Sequence, residues 1–191
     1  GSRRDYLHWL ERGAYGIQVG SRFALCSDSG MRPDLRDAVI EANRRGESEV
    51  VTDLRLSPTG YPFKRVTVPG TLSDPRVYAA RPRACNRMHL ARSVFQEQSD
   101  GTVKEAYICP AMPEKRFLSL GGNPADLEGR VCLCNALLST AGFYSDVEPP
   151  IVTLGESGLQ VKERLSARQV MEEILTPEYV AQAEKELTEP T

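Results

Sequence analysis

The chain has 191 residues, 40% apolar and 26% charged, which suffices for one domain or two small ones and excludes a wholly disordered segment. Its formal charge of −2 is mixed along the sequence, so there is no general electrostatic footprint for nucleic acid, and the local run Arg76, Arg81, Arg83 and Arg87 reads as a solvated or phosphate-facing patch. No apolar stretch approaches the roughly 20 residues that span a bilayer and no signal-peptide pattern opens the chain, so the expected partners include no membrane and the expected location is cytoplasmic.

In chain order, Ser2 followed three residues later by Asp5 resembles a capping box. Tyr6, Trp9, Leu10 and Gly13 then predict a short amphipathic helix with a glycine stop. Ile17 and Val19 fit a buried parallel strand that closes on Gly20 and Ser21, where backbone N–H groups and a hydroxyl are suited to hold a phosphate. Pro33 and Asp34 open a second helix with Leu35, Ala38, Val39 and Ala42 at helical spacing, ending near Gly46. Helix, strand, helix is the alternation of parallel α/β architecture, whose ligands sit at the carboxyl ends of strands. One strand cannot bury both faces or satisfy its edges, so a barrel or sheet with preceding strands missing is expected; Gly1-Ser2 also reads as a remnant of tag removal.

From about Glu47 to Pro150 the texture changes to one rich in Pro and Gly. Val50 to Leu56 and Phe63 to Val68 predict strands around the turn Ser57-Pro58-Thr59-Gly60. A helical patch is expected from about Arg87 to Glu97, with Leu90, Val94 and Phe95 on one face, followed by long irregular connections. In the last stretch, 151–191, Ser166 can cap a helix through Val170, Met171, Ile174 and Leu175, and Pro177 opens a further turn around Tyr179 and Ala183, with a frayed end from Glu186. Three segments result: 1–46, 47–150 and 151–191.

Of five cysteines, Cys26 stands alone, while Cys85, Cys109, Cys132 and Cys134 fall in the irregular middle segment. Four thiolates can hold Zn²⁺ or anchor an iron–sulfur cluster, and a metal would stabilise a segment with few regular elements. The spacing lacks the two close pairs of ordinary structural zinc sites, so buried unligated thiols are the plainer alternative.

Several segments together resemble the carboxyl-terminal part of a nitronate monooxygenase (2-nitropropane dioxygenase-like), especially the longer bacterial branch, over nearly the whole chain. They are Gly-Ser at 1–2, Gly-Ile-Gln-Val-Gly-Ser-Arg-Phe at 16–23, Val-Val-Thr-Asp at 50–53, Ser-Pro-Thr-Gly-Tyr-Pro-Phe-Lys at 57–64, Arg-Pro-Arg-Ala-Cys at 81–85 and Cys-Leu-Cys-Asn-Ala-Leu-Leu at 132–138. The resemblance implies an α/β fold, the carboxyl-terminal fragment of a TIM-barrel flavoprotein with an appended, mostly irregular α+β region. It also implies FMN as cofactor, with Gln18, Val19, Gly20 and Ser21 on its phosphate. Ser21 keeps the hydroxyl of the threonine usual in the family.

The family's catalytic histidine lies on an earlier strand that this chain lacks, and neither His8 nor His89 stands in that motif, so no catalytic residue is assigned. The expected function is thus the FMN-phosphate-binding half of a flavin-dependent oxidoreductase that oxidises alkyl nitronates, its small-molecule substrate, with dioxygen. It would be inactive without the missing amino-terminal barrel half or a partner subunit. A flavin-dependent enoyl reductase of fatty-acid or polyketide synthesis is the alternative within the class; a non-catalytic Cys-metal interaction module is the alternative outside it.

Overall fold

The computed structural model describes residues 1–143, 146–179 and 181; Ala183 and the end from Glu186, expected to close a turn and to fray, lie outside them. Helix α1 (Arg3–Glu11) carries the capping box expected of Ser2 and Asp5, and α3 (Pro33–Arg45) starts on its proline and ends on Gly46 in the left-handed conformation. On α3 the buried stripe is Leu35, Arg36, Val39, Ile40 and Asn43, one position off the expected apolar row, because Arg36 and Asn43 turn inward to bond carbonyls of other segments.

Between α1 and α3 the predicted strand is absent: residues 16–20 form neither helix nor strand and lead into the single turn α2 (Ser21–Ala24). Strand structure needs a hydrogen-bonded neighbour, and none of the described residues offers one. Ile17 and Val19 nevertheless pack inward beside Tyr6, Cys26 and Phe23, while Gly16, Gln18 and Gly20 are exposed.

Strands β1 (Val50–Asp53) and β2 (Phe63–Val66) pair antiparallel, Val50 opposite Val66 and Asp53 opposite Phe63, around the expected turn. After α4 (Pro75–Ala80) comes a second hairpin, β3 (Arg92–Glu97) with β4 (Val103–Ile108), Arg92 opposite Ile108. This corrects the helix expected over 87–97. Ser93, Val94 and Phe95 suit a pleated surface, and the Asp100-Gly101 turn, with Gly101 at φ +79°, folds β4 back on β3.

The irregular stretch expected after it also holds two helices, α5 (Glu114–Ser119) and α6 (Leu133–Thr140). Ser166 and Gln169 form a capping box for α7 (Ala167–Ile174), as the sequence leads one to expect of Ser166, and Tyr179 follows in a further turn. The architecture is a mixed α/β one with two small antiparallel sheets and, among the described residues, no parallel pair and no closed barrel. No described helix is long and apolar enough to cross a membrane.

The core draws on distant segments. Leu25, Leu35 and Val39 meet Val66, Val68, Val152 and Leu154, and the Val66 amide donates to Val152 O at 2.9 Å, so the segment after Pro150 runs beside β2. Leu56 and Leu72 pack with Val131, Leu133, Ala136 and Ile151; there the buried Thr140 hydroxyl lies 2.7 Å from Ile151 O and accepts the Ile151 amide at 3.1 Å. Tyr6 of α1 packs with Val170 and Ile174 of α7.

Candidate functional site

The four residues expected to hold a phosphate form a ledge. Among the described residues, no hydrogen bond uses the backbone amides of Gln18, Val19, Gly20 or Ser21, so four successive donors lack a protein acceptor, Gln18 and Gly20 on exposed residues and Val19 and Ser21 on half-buried ones. Gly20 has φ −107°, a value any residue adopts, but a Cβ there would meet open space, which leaves room for a ligand atom against the main chain. The Ser21 hydroxyl accepts the Gly155 amide at 2.8 Å, so its oxygen is fixed while its proton stays free to point outward.

Nearby lies a cleft of about 690 Å³, lined by Ser2, Arg4, Asp5 and His8 of the first helical turns, Arg22 of α2, and Glu156, Ser157 and Gln160 of a 3-10 turn; residues 18–21 are not in its lining, and Val19 lines a separate pocket with Tyr6 and Phe23. Arg22 is positioned by the Gly1 carbonyl at 3.3 Å and by Glu173 of α7. Gly158 lets this turn approach α2: a Cβ on it would stand 3.2 Å from Ser21 Cβ. Asn43 of α3 holds the turn from behind, donating to Gly158 O at 2.9 Å and Val161 O at 2.8 Å. Sequence reasoning misses Glu156, Ser157 and Gln160, because 151–191 reads as helical packing; the polar pair between Gly155 and Gly158 is the available signal. His8 is exposed on the cleft wall, its ring edge-on to Trp9 at 5.4 Å, and His89 lies elsewhere, so the two histidines do not form one site.

The second gathering is sulfur. Cys85, Cys109 and Cys132 are buried in one cluster with Ile108, Met112 and Phe117, and Cys134 packs against it; Cys26 is buried apart. Cys85, Cys109 and Cys132 influence one another's ionisation. The Asn135 amide donates to Cys132 O at 3.1 Å, which closes the first turn of α6 around that cysteine. The interaction of Cys85 with Cys109 makes Cys109 the easiest of the set to ionise and pushes Cys85 up to about 11; the interaction with Cys85 and burial push Cys132 far above the ordinary thiol range. Burial, then the charge of Cys132, raises Cys134.

Glu148 is fully buried beside this group. It accepts the Cys132 amide at 3.2 Å, has Arg81 Nε at 3.7 Å, and leaves its second oxygen without a partner. Burial raises its pKa against the opposing pull of that amide and of the Arg81 and Arg83 charges. As the side chains stand, no three or more His, Cys, Asp or Glu among the described residues surround a point that could hold a metal ion. No family model, curated protein or solved structure matches this chain.

Proposed function

We propose that the ledge at residues 18–21 receives the phosphate of FMN, and that the chain is the phosphate-binding part of a TIM-barrel flavin-dependent oxidoreductase of the nitronate monooxygenase type. The observation that carries this reading is the run of four backbone amides without a protein acceptor, with free space at Gly20 and with Arg22, the next residue, on the wall of the cleft. A phosphate dianion is satisfied by several N–H groups and does not need a lysine. Arg22 adds a positive charge at the cleft, while Glu156 keeps the wall from being uniformly basic.

When bound, the flavin would supply the electron transfer from an alkyl nitronate and on to dioxygen. The residues of this chain do the holding: amides of Gln18 to Ser21 on the phosphate, the Ser21 hydroxyl as an extra donor, and the Glu156–Gln160 turn as the cleft's far wall. No residue here is given the role of general base.

The test is flavin retention by the polypeptide as its gene encodes it, with the Gly20→Asp variant beside it. A carboxylate on the ledge repels the phosphate and fills the space at Gly20. FMN should then bind roughly 100-fold more weakly, the loss of about two charge-assisted hydrogen bonds, while riboflavin, which has no phosphate, should change little. A colourless protein that takes up no FMN, or equal loss of FMN and riboflavin, overturns the assignment. Turnover of nitronate with dioxygen, rather than of an enoyl thioester with NAD(P)H, separates the monooxygenase from the enoyl reductase.

A further inference from the structure

We propose that Cys85, Cys109, Cys132 and Cys134 are the four ligands of a single thiophilic metal ion, Zn²⁺, in a structural site that ties the loop before β3, the end of β4 and the start of α6 together. The site is separate from the phosphate ledge and does not depend on the flavin reading.

Four of the five cysteines meet although they come from three separate stretches of chain, and three of them are buried. Burial alone is ordinary for free cysteine. What burial does not explain is that position 85, position 109 and the pair 132 and 134, far apart in the chain, are gathered into one cluster by loops rather than by a single helix or sheet. The thiolate is the form that binds a metal, and a divalent ion releases the thiol proton on binding. The loop carrying Cys85 is itself held in an unusual shape, with Arg83 at φ 49° and Met88 at φ 55°. Asn135 of α6 pins it by donating to Ala84 O and Asn86 Oδ1, both at 3.0 Å. Non-glycine residues keep such φ values where the surroundings over-determine them.

The electrostatics favour a cation. Four crowded thiols cannot ionise together against one another, whereas a divalent ion displaces their protons to solvent and leaves a centre of net charge −2. Arg83 bridges toward it, donating to Pro110 O at 2.9 Å next to Cys109, and Arg81 lies beside Glu148. These two guanidinium groups offset the centre's charge.

Four thiolates are the ordinary ligand set of a single structural Zn²⁺ ion. Zinc–sulfur bonds of about 2.3 Å set tetrahedral ligands roughly 3.8 Å apart. The sulfurs do not converge on one point as the side chains stand, so binding requires them to turn about χ1 between staggered wells.

The experiment is metal analysis of the protein, expressed as its gene encodes it with zinc supplied, alongside Cys26→Ser and the Cys132→Ser, Cys134→Ser double variant. About one zinc per chain should be retained by wild type and by Cys26→Ser, and the double variant should retain at least tenfold less. If the double variant fails to fold, wild type decides. Stripped of zinc and titrated with Co²⁺ alone, it should develop the strong visible absorption of tetrahedral cobalt thiolate, and a mercurial reagent should release zinc in step with thiol modification. Folded wild type that retains no zinc and gives no cobalt spectrum overturns the site. Iron with acid-labile sulfide, or a Cys85–Cys109 disulfide in the isolated protein, overturns the single-ion assignment.

Discussion

Ser21 and Gly155, 134 positions apart in sequence, are joined by a 2.8 Å hydrogen bond from the Gly155 amide to the Ser21 hydroxyl oxygen. The bond fixes the last residue of the amide ledge to the turn that forms the opposite wall of the cleft. Ser21→Ala removes the acceptor and should cost about 1 kcal/mol of stability, read as a lower urea midpoint with unchanged slope. Ser21→Thr keeps the hydroxyl and should stay close to wild type. An alanine variant as stable as wild type would mean that water replaces the hydroxyl at no cost.

Asn43 makes the same wall depend on α3. Its buried amide group donates to two carbonyls, Gly158 O and Val161 O. Asn43→Ala leaves both acceptors unpaired, at a cost of about 2 kcal/mol, and should speed hydrogen exchange of the amides over 156–161 before it affects α1. Asn43→Asp should be worse, since a carboxylate would face two carbonyl oxygens. Equal exchange in the two variants and wild type would show that the turn is held by something other than Asn43.

What is legible in the sequence follows a physical division. The capping box at Ser2, the cap at Ser166, the Pro33 start and the Gly46 stop act within one turn of chain, and each is found where the residues lead one to expect it. Ile17 and Val19 face inward as expected but form no strand, because inward packing is set by the residues themselves and strand pairing by a neighbour. The first strand of the second hairpin, Arg92–Glu97, reads as part of a helix over 87–97 because Leu90, Val94 and Phe95 match helical spacing over too short a window to exclude a strand. The meeting of Cys85, Cys109 and Cys132 is foreshadowed only by their sharing one segment. Their contact arises from the folding of loops, which no local pattern encodes.

Phe117, fully buried against those cysteines, also fixes the requirement at Gly122. A Cβ on Gly122 would overlap the Phe117 ring, whereas one on neighbouring Gly121 would meet nothing but the strain of φ +83°. Gly122→Ala should therefore destabilise by about 2 kcal/mol through overpacking, and Gly121→Ala by about 1 kcal/mol through its backbone. The two are distinguished in a Phe117→Leu background. There the Gly122→Ala cost should shrink while the Gly121→Ala cost persists, a non-additivity measured by a double-mutant cycle.

Glu148 gives the fold a pH dependence of predictable sign. Its carboxyl holds its proton in the folded chain to a higher pH than the ordinary 4.5, because burial outweighs the attraction of Arg81 and Arg83. The folded state therefore binds more protons than the unfolded state above pH 4.5. The stability contributed by the protonated form is complete below that value and is lost as pH rises through the raised folded pKa, by about 1.4 kcal/mol for every tenfold by which folding tightens the carboxyl's hold on its proton. Glu148→Gln keeps an acceptor for the Cys132 amide but cannot ionise. Arg81 stays satisfied in this variant by Tyr78 O, by Arg130 O at 2.7 Å, and by the Tyr78 ring 3.6 Å beneath its guanidinium. Measured by urea unfolding across this range, wild type should lose stability relative to Glu148→Gln as pH rises from 4.5 toward neutrality, and the gap should stop widening once the folded carboxyl has ionised. A gap that widens on acidification instead would mean that the Arg81 pairing at 3.7 Å dominates burial and that Glu148 is ionised in the folded protein.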